Sequence, residues 1–270
     1  MTPSSAIRKG SSWLVRFGRL GYAAKGTVYI VLGALATKAA LGHGETTDTH
    51  GALRTIGEGP FGELALWIIL IGLFGYAAWR LVSAATDAER RGDEPTSIAL
   101  RLGEAFRGLV YGVLGYWTFQ YVTSGNGESG NQAQSLTRSV LSIPTGRWII
   151  IAAGLGVIGY AAYQIYRAAS GKFLKRMDLS SAGPETAKWV TRMGRFGIAA
   201  RAIVFGMIGV LLASAGWTFD PTKAGGIRQS LNALEAQPAG GVVFGVVAVG
   251  LIAFGLFELA TATYRVMRAV

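Results

Sequence analysis

Four stretches of this chain run for 18 to 22 residues without a single Asp, Glu, Lys or Arg: Gly108 to Gly127, Trp148 to Tyr166, Ala202 to Phe219 and Ala236 to Phe257. About 20 apolar residues at 1.5 Å per residue cross a hydrocarbon core. Nothing else in the sequence restricts the fold as much, because a segment in lipid must satisfy its own backbone polar groups, as a helix does. Two further segments are less clean. Leu64 to Trp79 is uncharged for 16 residues, and Leu20 to Leu41 carries Lys25 and Lys38. Their charges lie toward the ends, where long side chains snorkel to the interface, so both count as spans and six transmembrane helices are expected. A composition 51% hydrophobic and 15% charged, with mean hydropathy +0.38, agrees.

The formal charge of +11 raises the question of nucleic acid, and the distribution of the basic residues answers it. With the amino terminus inside, 20 of the Lys and Arg residues fall on inner segments and 6 on outer loops. That bias orients both termini toward the cytoplasm. The basic rim is suited to anionic lipid headgroups rather than nucleic acid. The segment "MTPSSAIRKGSSWLVRFGRL" has no small-residue cleavage site after a short apolar core, so the first apolar segment is expected to remain as a span. Zero cysteines exclude disulfides, thiolate metal sites and covalent c-type haem.

The chain can be laid on itself three times. "RLGYAAKGTVYIVLG" from Arg19 matches "RLGEAFRGLVYGVLG" from Arg101 and "RFGIAARAIVFGMIG" from Arg195. Pro60, Pro144 and Pro238 open the second helices, where Gly72, Gly156 and Gly250 align, and "GYAAWR" from Gly75 matches "GYAAYQ" from Gly159 and "AFGLFE" from Ala253. The expected organisation is a segment 1–16, then repeat 1 over 17–92 (helices near 20–41 and 61–83), repeat 2 over 99–177 (near 104–123 and 146–168) and repeat 3 over 190–267 (near 196–217 and 240–263). Two spans per unit make the copies parallel, so the predicted fold is an all-α polytopic membrane protein. Its six helices come from three tandem hairpins with pseudo-three-fold symmetry about the membrane normal.

The "RLGYAAKG" start and the "GLFGYAAWR" end of the first copy carry a resemblance to a bacterial family of domains of unknown function, number 1206, which covers roughly residues 17 to 267. The resemblance implies three two-helix repeats in one membrane protein and assigns no catalytic residue. The third copy departs from the pattern, with Ala253 for glycine and Glu258 where the others have Arg80 and Gln164.

"IIIAAGLGVIGYAAYQ", residues 149–164, contains the GxGxxG spacing of dinucleotide-binding turns, and Asp178 stands where an acidic ribose ligand would fall. Such a turn needs a strand before the glycines and a helix after them. Here one uncharged run continues through them, and the first copy has Leu70 where Gly154 stands. The expected role of Gly72, Gly75, Gly156, Gly159 and Gly250 is therefore close helix packing in lipid, with similar seams at Gly108 and Gly112 and at Gly241 and Gly245.

The candidate functional layer is Lys25, Arg107 and Arg201, each six residues after its copy's entry arginine, together with Arg80, Gln164 and Glu258 on the returning helices and Glu104 nearby. Six residues of helix place the first three roughly 9 Å deeper than the entry arginines. If they converge on the axis they can bind an anion, a lipid phosphate or a permeating solute. The simpler expectation is that they point outward and snorkel to inner-leaflet phosphates, or pair locally as Glu104 with Arg107 and Glu258 with Arg201.

Outside the spans, "HGETTDTH" holds His43, Glu45, Asp48 and His50 without metal-site spacing, so a solvated loop is expected and no metal. Trp117, Trp148 and Trp217 at one end, and Trp13, Trp79 and Trp189 at the other, are expected as interfacial anchors. There is no nucleophile–base pair, HExxH motif or P-loop, so no catalytic residue and no cofactor is expected. The sequence supports a non-enzymatic structural or accessory component of the bilayer, with anionic headgroups, other membrane proteins or a second copy of itself as partners. An anion or solute channel using the Lys25, Arg107 and Arg201 layer is the second reading, and an intramembrane enzyme or cofactor binder the third.

Overall fold

The computed structural model describes residues 3–86, 95–125 and 132–266, and among these every long element is a helix. Each repeat consists of a long helix, a short helix and a second long helix: α1 (Pro3–Ala40), α2 (Thr49–Gly57) and α3 (Gly62–Thr86); α4 (Pro95–Ser124), α5 (Gln132–Leu141) and α6 (Gly146–Ala169); α7 (Pro184–Thr218), α8 (Ile227–Glu235) and α9 (Gly240–Tyr264). Among the described residues, five segments are long and apolar enough to cross a membrane: Val15–Ala40, Gly62–Thr86, Gly146–Ala169, Pro184–Thr218 and Gly240–Tyr264. The chain is a multi-pass membrane protein. Helix α4 falls short of that measure because Arg101, Glu104 and Arg107 occupy its first half and Tyr111, Tyr116, Gln120, Tyr121 and Thr123 dilute the second.

Several boundaries differ from the sequence expectation. Helix α1 extends back to Pro3, so the segment 1–16 is largely the start of the first helix, and α4 and α7 also begin well before their apolar runs. Apolar length measures what must sit in lipid, whereas helical hydrogen bonding continues into the polar turns beside it. The short helices α2, α5 and α8 take the place of the expected loops. Each is amphipathic, burying Leu53, Thr137 and Leu231 at the same repeat position. Asp48 caps α2 by accepting from the Gly51 N–H at 3.0 Å, a common N-cap arrangement.

Each short helix ends in a Pro-x-Gly turn whose glycine presses on the chain behind it. A methyl on Gly62, Gly146 or Gly240 would overlap the carbonyl of Gly57, Val140 or Glu235 respectively. In repeats 1 and 3 the middle residue is left-handed, with φ of 60° at both Phe61 and Ala239. In repeat 2 it is not, as Thr145 has φ −91°.

The long helices follow one another around the bundle in the order α4, α3, α1, α9, α7, α6, each packed on the next. Helices α4 and α6, the two ends of that run, both belong to repeat 2 and do not pack on each other as the other five neighbouring pairs do. In the half of the bundle toward the short helices, Val28, Leu32, Ala36, Leu66, Phe244, Val247 and Leu251 fill the interior and are all buried. The opposite half holds the α6–α7 connection and the end of α9, tied together where the Asp178 N–H donates to the Tyr264 carbonyl at 2.8 Å.

The glycine expectations are corrected in part. Gly72 meets Ala24 Cβ at 2.7 Å and Gly75 meets Phe17 at 2.8 Å, distances measured from an added methyl, and Gly250 lies against Ala200. These three are close-contact positions. Gly156 and Gly159 are not, since nothing comes within 4 Å of a methyl at either. Gly154 does pack, with the Ala213 backbone at 2.6 Å. At the other two seams, Gly108 meets Leu81 at 2.9 Å and Gly112 has only Ala77 at 3.8 Å, while Gly241 has no neighbour and Gly245 only Ala40 at 4.0 Å. The GxGxxG residues sit in the middle of α6 with no strand before them, so their N–H groups serve the helix and not a phosphate.

Two of the expected tryptophan anchors are interior residues. Trp79 and Trp117 are buried, whereas Trp148, Trp189 and Trp217 are exposed. The side chain of Trp13 lies outside the described residues.

Candidate functional site

A cavity of about 220 Å³ lies in the half of the bundle opposite the short helices, and all six long helices contribute to it. Helix α1 supplies Tyr22 and Lys25, α3 supplies Tyr76 and Arg80, and α4 supplies Glu104, Arg107 and Tyr111. From the other side come Tyr160, Tyr163, Gln164 and Arg167 of α6, Arg201 of α7, and Phe254, Glu258 and Thr261 of α9. Spacings of three, four and seven put each set on one helix face. The polar positions expected as a layer, Lys25, Arg80, Glu104, Arg107, Gln164, Arg201 and Glu258, therefore all reach one shared space.

This corrects the expectation that the layer points outward. Lys25 is 6% exposed, Arg80 4%, Gln164 5% and Glu258 5%, which leaves these four no room for snorkelling, while Arg107 and Arg201 are part-buried and turn into the same cavity. Both expected local pairings differ too. Glu258 accepts from Lys25 Nζ at 2.8 Å, joining α9 to α1. Glu104 lies 3.4 Å from Arg80 Nη1, joining α4 to α3. Arg80 also donates through Nη2 to the Tyr22 hydroxyl at 2.6 Å. Lys25 is boxed by aromatic rings as well, 5.0 Å from the centroid of Phe254 and 5.6 Å from those of Tyr76 and Tyr111. Such contacts stabilise a desolvated cation by about 2 kcal/mol.

The charge of the cavity is far from balanced. Eight basic side chains line it against the two carboxylates. With Glu258 on Lys25 and Glu104 on Arg80, three guanidiniums have no carboxylate partner among the described residues: Arg107, Arg167 and Arg201. Arg201 Nε donates to the Tyr29 hydroxyl at 3.0 Å, Arg167 Nη1 to Gln164 Oε1 at 3.3 Å, and Arg107 lies 5.7 Å from the Tyr160 ring centroid. Neutral partners hold these groups in place and leave their charge uncompensated. Arg265, at the end of α9, stacks over Tyr22 at 5.3 Å. The turn Lys172–Arg176 after α6 wedges Phe173 against Phe257, edge to face at 5.3 Å, and brings Lys172 and Lys175 to the rim.

The tyrosines, Arg167 and Arg265 were not singled out by sequence. The repeats hold the signal: Tyr76, Tyr160 and Phe254 share one repeat position four residues before Arg80, Gln164 and Glu258, so they lie on the same face one turn away. The residues of "HGETTDTH" are used elsewhere. Asp48 caps α2, and His50 packs edge-on against Trp117 at 4.2 Å. Burial holds the His50 imidazole below its ordinary range, with Arg54 adding to the effect and Asp48 opposing it. No group of three or more His, Asp or Glu side chains assembles as a metal site among the described residues.

Fold and site together define the class, a multi-pass helical membrane protein of three tandem repeats whose long helices enclose a basic, tyrosine-lined cavity. Within that class the chain belongs to the family described as Domain of Unknown Function (DUF1206), whose model matches residues 20–87, 102–171 and 196–265, one match per repeat. The chain is also similar to an uncharacterized protein of Bacillus subtilis (strain 168), YxxB, with 36% identity over 255 residues covering 94% of this chain and 92% of the relative. No solved structure matches.

Proposed function

We propose that this protein is a non-enzymatic anion-binding component of the bacterial cytoplasmic membrane, and that its cavity takes a phosphate-bearing ligand at inner-leaflet depth. One observation carries the reading: Arg107, Arg167 and Arg201 face a common cavity with no carboxylate partner among the described residues. All three are part-buried, and a guanidinium drawn partly out of water without a counter-charge is costly. Their planar forks match phosphate oxygens, and the tyrosine hydroxyls add donors. No His, Cys or Ser is among the described lining residues, so no Ser–His or Cys–His pair is available there.

The membrane placement in this reading has six spans, with α4 as the sixth because it occupies the repeat position of α1 and α7. The excess of basic residues on the segments beside the cavity puts both termini and the cavity on the cytoplasmic side. Pseudo-three-fold symmetry about the membrane normal is supported by corresponding positions, 25 with 107 and 201, and 80 with 164 and 258, reaching one space. Binding is favoured over conduction because the other half of the bundle is filled by buried apolar side chains such as Leu32, Phe244 and Leu251.

The test is a thermal-unfolding titration of delipidated protein in neutral detergent, with phosphate against chloride at equal ionic strength. Phosphate at a hundredfold excess over Kd is expected to stabilise the protein by about 2.7 kcal/mol. Arg201→Gln should weaken phosphate binding by roughly tenfold or more, the scale of a lost charge-assisted hydrogen bond. Equal melting curves in phosphate and chloride would overturn the proposal.

A further inference from the structure

Two of the packed pairs, α1 with α3 and α7 with α9, use the same repeat positions as the unpacked pair α4 and α6, and the comparison shows where the cavity opens. In repeat 1, Gly21 and Gly72 are each jammed against the facing helix, with Ala24 Cβ 2.7 Å from a methyl on Gly72. In repeat 3, Gly197 lies against the Phe254 backbone and Gly250 against Ala200. The corresponding glycines of repeat 2, Gly103 on α4 and Gly156 on α6, have nothing within 4 Å. The reason is legible in the side chains. Where repeats 1 and 3 place Ala24 and Ala200 against the facing glycine, repeat 2 has Phe106. A phenyl ring cannot enter a contact of backbone closeness, and Phe106 instead stands 67% exposed. Repeat 2 is thus the one hairpin whose two long helices are apart.

Both helices at this seam also line the cavity. Arg107 and Tyr111 come from α4, and Tyr160 and Arg167 from α6. Arg107 reaches toward α6 and lies over the Tyr160 ring. Tyr163 lines the cavity and is 43% exposed at the same time. The arginines without carboxylate partners therefore lie at the inner end of an apolar lateral opening, flanked by exposed Leu102, Phe106 and Leu155. A small soluble anion needs no lateral opening, whereas a molecule with a phosphate at one end and hydrocarbon at the other is complementary to both parts.

We propose that the ligand is an anionic phospholipid of the inner leaflet, entering sideways between α4 and α6, with its phosphate among Arg107, Arg167 and Arg201 and its acyl chains in the seam. This rests on the anion-binding reading and adds the class of ligand and its route. The charge of the cavity favours a headgroup with net negative charge, such as phosphatidylglycerol, over zwitterionic phosphatidylcholine.

The test uses native mass spectrometry and phosphate titration on the same protein, after exchange into nanodiscs of phosphatidylglycerol or of phosphatidylcholine and release into detergent. Wild type is expected to retain one phosphatidylglycerol and little phosphatidylcholine. Gly159→Leu, at a position with open space around it, fills the seam without touching the arginines. It should lower lipid retention by about tenfold or more, one decade of affinity, while phosphate still stabilises the variant as it does wild type. Arg201→Gln should lose both responses. Phosphate binding with no lipid preference in wild type, or undiminished lipid retention in Gly159→Leu, would overturn lateral lipid entry and leave the anion site standing. No phosphate response in any protein would overturn the anion site itself.

Discussion

At the scale of single residues, the buried pair Lys25–Glu258 is the contact most exposed to a decisive test. It joins the first long helix to the last at 2.8 Å, with both side chains buried. Removing one partner leaves a charge in a low-dielectric interior, which costs about 3–5 kcal/mol. Glu258→Gln is therefore expected to lower the unfolding midpoint of the purified protein sharply. The double replacement Lys25→Met, Glu258→Leu should recover most of the loss, since no unpaired charge remains. A thermodynamic cycle over Lys25→Met, Glu258→Leu and the double variant checks this, and additive losses would mean that the two residues do not act as a pair. The sequence named both residues but matched Glu258 with the wrong cation. Helical spacing says which residues share a face of one helix, and it carries no information on which neighbouring helix that face meets.

At the scale of elements, the same glycine means different things in different repeats. Gly72 and Gly250 sit at helix crossings close enough that an added methyl must displace a neighbour, whereas Gly156 and Gly159 face open space. Gly72→Leu and Gly250→Leu are expected to destabilise the protein by about 1–3 kcal/mol or more through overpacking. Gly156→Leu should be neutral, or stabilise by up to about 1 kcal/mol, because leucine is the better helix former. Melting temperatures of the three variants in one detergent decide this, and equal losses in all three would contradict an open α4–α6 seam. The short helices α2, α5 and α8 were missed in the sequence for a related reason. At nine or ten residues each they are too brief to announce themselves by apolar length, and they are held by packing one buried ridge on the long helices.

At the scale of the whole molecule, the orientation proposed from the basic residues is open to direct measurement. The chain has no cysteine, so single cysteines report without background. Glu45→Cys, before α2, should react with a membrane-impermeant thiol reagent in intact cells, and Lys175→Cys, beside the cavity, only after the cells are opened. The reverse pattern would invert the topology. What the sequence determined by itself was one-dimensional: how long the apolar runs are, that the unit occurs three times, and at which positions charge interrupts an otherwise apolar helix. Each of these follows from local composition, because lipid imposes length and apolarity on every span alike. Only the tertiary structure decided that the polar layer faces inward, that its carboxylates serve Lys25 and Arg80, and that the middle repeat stands open. In water an apolar stripe tells which face of a helix is buried, but a helix in lipid is apolar all round. Its rotation is fixed by close packing, here by alanine against glycine in two repeats and by Phe106 standing in the way in the other.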